Sequence, residues 1–254
     1  MMATLLSPDE PPACSIEHEQ GASSFLLVCD HASHRIPRML GGLGLPAAEL
    51  MTHIAWDIGA AAVAQRLAQR LQATLVLQNY SRLVIDCNRP LDAPDSVAIT
   101  SGGVEVPGNR ALSSEQRLMR QNEVFLPYHG AIRDILDRRA QGPPAVLVSV
   151  HSFTPIFLGD SRPWHCGVLY NRDARLALAL RDLLRSDFLR VGENEPYAMR
   201  DSSDYTVPVH GEARGLAHVE LEIRQDLISD DRGQEEWATR LALMLPQALE
   251  VVAL

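Results

Sequence analysis

Lysine is absent: all 23 basic side chains of this 254-residue chain are arginines. Without a side-chain amine there is no Schiff base to a carbonyl substrate, no lysine-anchored pyridoxal phosphate and no P-loop lysine. Cysteine is scarce. Cys14, Cys29, Cys87 and Cys166 form no C-x-x-C pair, which argues against finger-type zinc and against a disulfide scaffold. No G-x-S-x-G elbow occurs, so the usual signal of a serine hydrolase is missing. No run approaches the ~18 apolar residues of a membrane span. Positive charge is in deficit, 23 basic against 32 acidic residues for a net −9. That is the wrong sign for a nucleic-acid partner, whose phosphates need neutralising. Residues 1–20 hold Asp9, Glu10, Glu17 and Glu19 and lack the basic-then-apolar pattern of a secretory leader. The expectation is a cytoplasmic protein with no membrane partner, in which a flexible lead-in, 1–20, precedes one domain over 21–254.

Apolar residues make up 46% of the chain, the usual share for a globular domain. Short apolar runs at 24–29, 74–78, 82–86, 145–150, 166–170 and 216–223 read as strands. Between them, 47–72 carries apolar residues at helical spacing, enough for one long helix or two short ones. Ser113 with Gln116 forms a helix start of the capping-box type, and that helix is predicted to reach Arg139 with a kink at Pro127. Further helices are predicted over 174–184 and 235–254. Residues 91–110 and 192–211 read as polar loops. Strands alternating with helices predict an α/β fold with a mixed, largely parallel sheet.

Residues able to do chemistry sit at or just after the ends of the apolar runs: Asp30 and His31, then Asp86, Asn88 and Arg89, then His151, and Glu222 and Arg224 near the end of the last. Ligands of open α/β sheets bind at the carboxyl ends of the strands, so these segments meet at one rim if their strands are neighbours. Two histidines with a carboxylate nearby suit a zinc enzyme that keeps one position open for water or substrate. His31 and His34, three apart, are a second way to chelate if the segment turns helically. Ser152 beside His151 is a poor nucleophile–base pair, because neighbours on a strand point to opposite faces. Most arginines are expected to make surface ion pairs. Arg82, Arg89 and Arg224 flank strands, and a guanidinium there can grip a carboxylate with two hydrogen bonds.

Several blocks together resemble the N-formylglutamate amidohydrolase family: Cys29-Asp30-His31-Ala32-Ser33-His34-Arg35-Ile36-Pro37, Trp56-Asp57-Ile58-Gly59, and the stretch from Tyr80 to Pro90. The set continues with His151-Ser152-Phe153, Asn194-Glu195-Pro196-Tyr197 and the stretch from Glu220 to Ile228. The resemblance implies a zinc carboxypeptidase-like, three-layer α/β/α domain and a metal-dependent hydrolase. The implied substrate is a small anionic N-acyl amino acid. It implies one divalent ion, zinc, held by His31, His151 and Asp57, with His34 as the other candidate for the third position. It implies Glu222 as general base, with Glu220 of equal strand parity as its rival. Asn88 and Arg89 would hold a substrate carboxylate, with Arg224 as a further substrate contact. Arg82 would take a second carboxylate or steady the carbonyl oxygen. Around residues 31–33, 56–58 and 220–228 the chain departs from the histidine-degradation form of the family. That points to a separate branch, with another N-acyl amino acid or a small peptide as alternative substrate. The alternative of another class is a carboxylate-binding protein without catalysis.

Overall fold

Seven strands build one sheet. In the computed structural model, which describes residues 4–252, they are β1 (Cys14–Glu17), β2 (Phe25–Cys29), β3 (Thr74–Gln78), β4 (Val146–Phe153), β5 (Cys166–Leu169), β6 (Val191–Glu193) and β7 (Ala217–Arg224). Their order is β1-β3-β2-β4-β7-β5-β6. The central β3, β2, β4 and β7 are mutually parallel, whereas β1 opposes β3 and β5 opposes β7. The predicted mixed, largely parallel sheet is thus observed. Besides a single α-helical turn at Ala47–Leu50, the helices are α1 (Ala60–Leu71), α2 (Ser114–Arg120), α3 (Leu126–Arg139), α4 (Arg175–Ser186), α5 (Thr206–His210) and α6 (Asp231–Val252). None is long and apolar enough to cross a membrane.

Strand side chains alternate between faces, and that alternation places the site. Phe25, Leu27, Val146, Val148, Val150, Val219 and Leu221 bury one face of the sheet against α1, α4 and α6. The opposite face packs Leu26, Val28 and Leu147 on Ile132, Ile135 and Leu136 of α3. Further along that second face the side chains become polar while staying buried: Asp30, Ser149, His151, Glu220 and Glu222. An unpaired buried carboxylate costs several kcal/mol, so hydrophobic packing does not account for this patch.

Four expectations need correction. Residues 82–84 are a turn and 85–86 are irregular. The Ser81 hydroxyl accepts the Leu83 N–H at 3.1 Å and the Ser81 carbonyl accepts that of Val84 at 2.9 Å. Leu83 packs into one cluster with Leu43 and Ile54, while Val84 and Ile85 enter another. The run is apolar because its side chains bury in different directions, which short runs cannot distinguish from a strand. Second, within the stretch read as a lead-in, Leu5 is buried and 14–17 form the edge strand β1. Glu123 accepts the N–H groups of Leu5 and Leu6. Third, the polar stretch 192–211 contains α5 and most of β6. Fourth, the loop at 91–110 carries a short hairpin, Thr100–Ser101 against Val104–Glu105, and is pinned down: Asn109 donates to the carbonyls of Leu83 and Ala98, and buried Arg120 donates to Asn109 Oδ1 and the Val84 carbonyl. The Ser113–Gln116 capping box forms as read. A π-helical turn over Gln121–Phe125 leads into α3, with Pro127 in its first turn, where a missing N–H does least harm.

A buried imidazole pair gives the fold an acid limit. His129 donates Nε2–H to the Cys87 carbonyl at 2.8 Å, and its Nδ1 faces His210 Nε2 at 3.0 Å. Burial pushes His129 down to about 4 and His210 down to about 3. Unfolded histidines titrate near 6.5. Below that value the unfolded chain binds protons the folded chain does not, so stability falls as pH drops from about 6.5 towards 4. The slope reaches about 1.4 kcal/mol per pH unit for each imidazole. The urea midpoint is expected to fall between about pH 7.5 and about pH 5, and to fall less in His210→Gln, which cannot take up the proton. Equal losses in both proteins would remove His210 from this account.

Candidate metal centre and active-site cavity

The site is assembled at the carboxyl ends of β2, β4 and β7 and from the loops that follow β2 and β3. Asp30 and His31 come directly after β2. Asp57 reaches them from the turn before α1, where its N–H donates to the His31 carbonyl at 3.0 Å. Gly59 makes that turn possible. Its φ is +82°, and a Cβ there would lie 2.2 Å from the Ile228 carbonyl oxygen, so both the conformation and the space require glycine.

His31 Nδ1, His151 Nδ1 and Asp57 Oδ2 converge. The two nitrogens are 3.2 Å apart, and the carboxylate oxygen is 3.3 Å from the first and 2.9 Å from the second. Two ligand atoms on one tetrahedral zinc ion are separated by about 3.3 Å. The three atoms therefore fit a single ion. The far nitrogens support this. His31 Nε2 lies 2.7 Å from Asp86 Oδ1, and His151 Nε2 lies 3.0 Å from Asp30 Oδ2. A carboxylate behind each ring takes the Nε2–H and leaves the Nδ1 lone pair facing inward, as in metal-ligating histidines. Two lone pairs and a carboxylate oxygen then meet at hydrogen-bond distance, an arrangement a cation stabilises.

Partners keep these carboxylates ionised. Burial opposes the charge on Asp86, but Arg82 and His31 outweigh it and hold the carboxyl well below the usual range. Arg82 Nη2 donates to Asp86 at 2.6 Å, and Nη1 lies 3.6 Å from Asp57 Oδ1. Against the cost of its own burial, Asp30 is held low chiefly by His151. It also accepts the Thr206 hydroxyl at 2.6 Å and that of Ser149 at 3.1 Å.

Glu222 stands beside His151 in the β7–β4 register, and Glu220 beside Ser149. Burial is the main cause that pushes each up to about 8. They differ in what they touch. Glu220 accepts Asn88 Nδ2 at 3.3 Å, whereas Glu222 Oε2 is buried with no hydrogen-bond partner. Both line a cavity of about 670 Å³ with His31, Asp57, His151, Arg82, Asn88 and Arg89.

Two candidates stay outside this group. His34 packs at a tilt against Trp56 with ring centroids 5.1 Å apart, and Asp57, not His34, joins the two imidazoles. Arg224 does not line the cavity, because its guanidinium is turned to Asp226 and the Trp164 carbonyl. The Asn88–Arg89 pair is inside but engaged. Asn88 Oδ1 accepts the N–H groups of Tyr205 and Thr206 at 3.1 Å, fixing the start of α5. Arg89 donates to the Ser203 carbonyl at 2.6 Å and to Asp95 at 3.0 Å. Sequence reasoning assigned no role to Asp30 and Asp86 as the carboxylates behind the rings. For Asp30 a signal existed, since it shares strand parity with Leu26 and Val28 and so points to the site's face. For Asp86 the misread strand hid it.

Comparison with known proteins agrees with this geometry. The profile of the N-formylglutamate amidohydrolase family matches residues 23–229. N-formylglutamate deformylase of Pseudomonas putida is 29% identical over 148 residues, 54% of this chain and 54% of that protein. The chain thus spans about half the length of that curated relative. Gene product Atu2144 of Agrobacterium tumefaciens has a solved structure that matches with a TM-score of 0.95 at 37% identity, over 98% of this chain and 100% of that one. N-formylglutamate amidohydrolase from Ralstonia eutropha JMP134 shares the fold, with a TM-score of 0.68 at 18% identity over 96% of this chain and 99% of its own. With the profile covering most of its length and the ordered sequence blocks falling on one cavity, the chain belongs to the N-formylglutamate amidohydrolase family.

Proposed function

We propose that this protein is a zinc-dependent amidohydrolase that cleaves the amide of a small N-acyl amino acid, N-formylglutamate among them, in the cytoplasm. The observation that carries the reading is the pairing of a three-atom donor cluster with a buried, partnerless Glu222 carboxylate in one cavity. His31, Asp57 and His151 would hold the ion, which lowers the pKa of water towards ~7 and polarises a carbonyl. Their nitrogen and oxygen donors suit zinc.

Glu222 supplies the proton transfers. With its carboxyl pushed up to about 8, it can pass a proton in either direction near neutral pH. It takes a proton from the attacking water as the water oxygen bonds to the acyl carbon. It returns that proton to the nitrogen as the C–N bond breaks, leaving a free amino acid and the carboxylic acid of the acyl group, which then loses its own proton to solvent. Arg82 acts through its partners: it holds Asp86 and Asp57 in place and ionised, and so is a positioning residue. The cavity of about 670 Å³ lies within the range that takes drug-sized ligands, well beyond what an N-formyl amino acid fills. Acyl groups larger than formyl are therefore included in the substrate class.

The test is a panel of N-formyl, N-acetyl and longer N-acyl amino acids with zinc-loaded protein, scored by release of the free amine. Turnover of at least one class with loss on chelation is expected. No turnover anywhere on the panel would leave the carboxylate-binding protein as the better description.

A further inference from the structure

We propose that Arg162 is the residue that holds a carboxylate of the substrate. This rests on the amidohydrolase reading of the same cavity. Two of the arginines that line it are already neutralised: Arg82 by Asp86 and Asp57, Arg89 by Asp95 and the Ser203 carbonyl. To grip a substrate carboxylate, Arg89 would have to abandon those partners. Arg200 also lines the cavity, but its residue is exposed and nothing fixes its guanidinium.

Arg162 is different. Its guanidinium carbon lies 4.6 Å from the ring centroid of Phe157, 4.8 Å from that of Tyr197 and 5.9 Å from that of Phe153. All three rings line the cavity, and Arg162, not itself among its lining residues, packs directly against them. Nη1 donates to the Tyr197 hydroxyl at 2.8 Å. Among the described residues, no carboxylate lies within ion-pair distance of it. A guanidinium carries five N–H donors in a planar fork that matches a carboxylate. Here one donor is spent, and the three rings with the Tyr197 hydroxyl hold the group in advance, which lowers the entropic cost of binding. Its charge reaches Glu222, where it works against the effect of burial. The cation and the proposed base therefore lie within electrostatic reach of each other.

The test compares wild type, Arg162→Gln, Arg162→Lys and Arg89→Gln on N-formyl-L-glutamate and on its two monoamides, in which either the α- or the γ-carboxylate is replaced by carboxamide. A charge-assisted bidentate contact predicts that R162Q raises KM for the diacid by roughly 10- to 100-fold. The kcat should stay within about threefold, because the contact is made in ground and transition state alike. Wild type should discriminate against one monoamide by the same factor, and R162Q should lose that discrimination. R162K should recover part of the affinity and R89Q should keep the discrimination. Calorimetry with L-glutamate should show the same loss of affinity in R162Q at unchanged metal content. An unchanged KM in R162Q, or discrimination lost in R89Q instead, overturns the assignment. If wild type binds L-glutamate but hydrolyses nothing, only the hydrolase reading fails, and the calorimetric affinity of R162Q still decides this one.

Discussion

Glu222→Gln is expected to lower kcat for amide hydrolysis by about 10²- to 10⁴-fold, the usual contribution of a general base. The substitution keeps the shape of the side chain and removes only the ability to accept a proton. Because Glu222 Oε2 has no hydrogen-bond partner, the amide breaks no contact there. It also removes an ionisable group from a buried position, so the unfolding midpoint should stay level or rise. Glu220→Gln is the control. Glu220 accepts from Asn88, whose Oδ1 in turn fixes α5, so its loss should disturb structure more than chemistry. Steady-state kinetics with elemental analysis of each variant settle the pair. Full activity in Glu222→Gln together with collapse in Glu220→Gln would reverse the two roles.

The second large effect concerns the ion. Protein purified without chelator is expected to hold about one zinc per chain, and His31→Ala/His151→Ala to hold none, with activity down by more than ~10³-fold. The double variant also strips Asp86 and Asp30 of the imidazoles behind which they are buried. Breaking a buried pair costs about 3–5 kcal/mol, so thermal unfolding should accompany the elemental analysis. A folded wild type that takes up no zinc when zinc is supplied would sink the metal mechanism altogether.

Much of this was readable from residues alone, for a physical reason. Runs such as 145–150 and 216–223 are too short for helices and apolar on both parities, which suits strands covered on two faces. Polar residues placed just after them mark the carboxyl rim, where α/β proteins bind ligands. That is why His31 and His151 could be singled out, whereas the choice of Glu222 over Glu220, of equal parity, rested on the family resemblance. What stayed hidden is the partner each side chain finds in space. Arg224 looked as available as Arg82 in the sequence, yet Asp226, two residues on, claims it. Asn88 and Arg89 looked like a carboxylate clamp until α5 and Asp95 were seen to occupy them. Arg162 sits between a Ser and a Pro with no pattern around it, and its surroundings come from Phe153, Phe157 and Tyr197.

The donor atoms belong to residues separated by 26, 94 and 120 positions. Closing such long loops is slow and entropically unfavourable until the central strands have paired. A nascent chain that has emerged only as far as β3 displays His31 and Asp57 but not His151, and holds no complete chelate. Metal capture by the proposed centre would thereby wait until β4 has docked beside β2, late in folding. Zinc uptake in a refolding experiment should then lag behind the burial of Trp237 in the core, and so report completed tertiary structure rather than guide its formation.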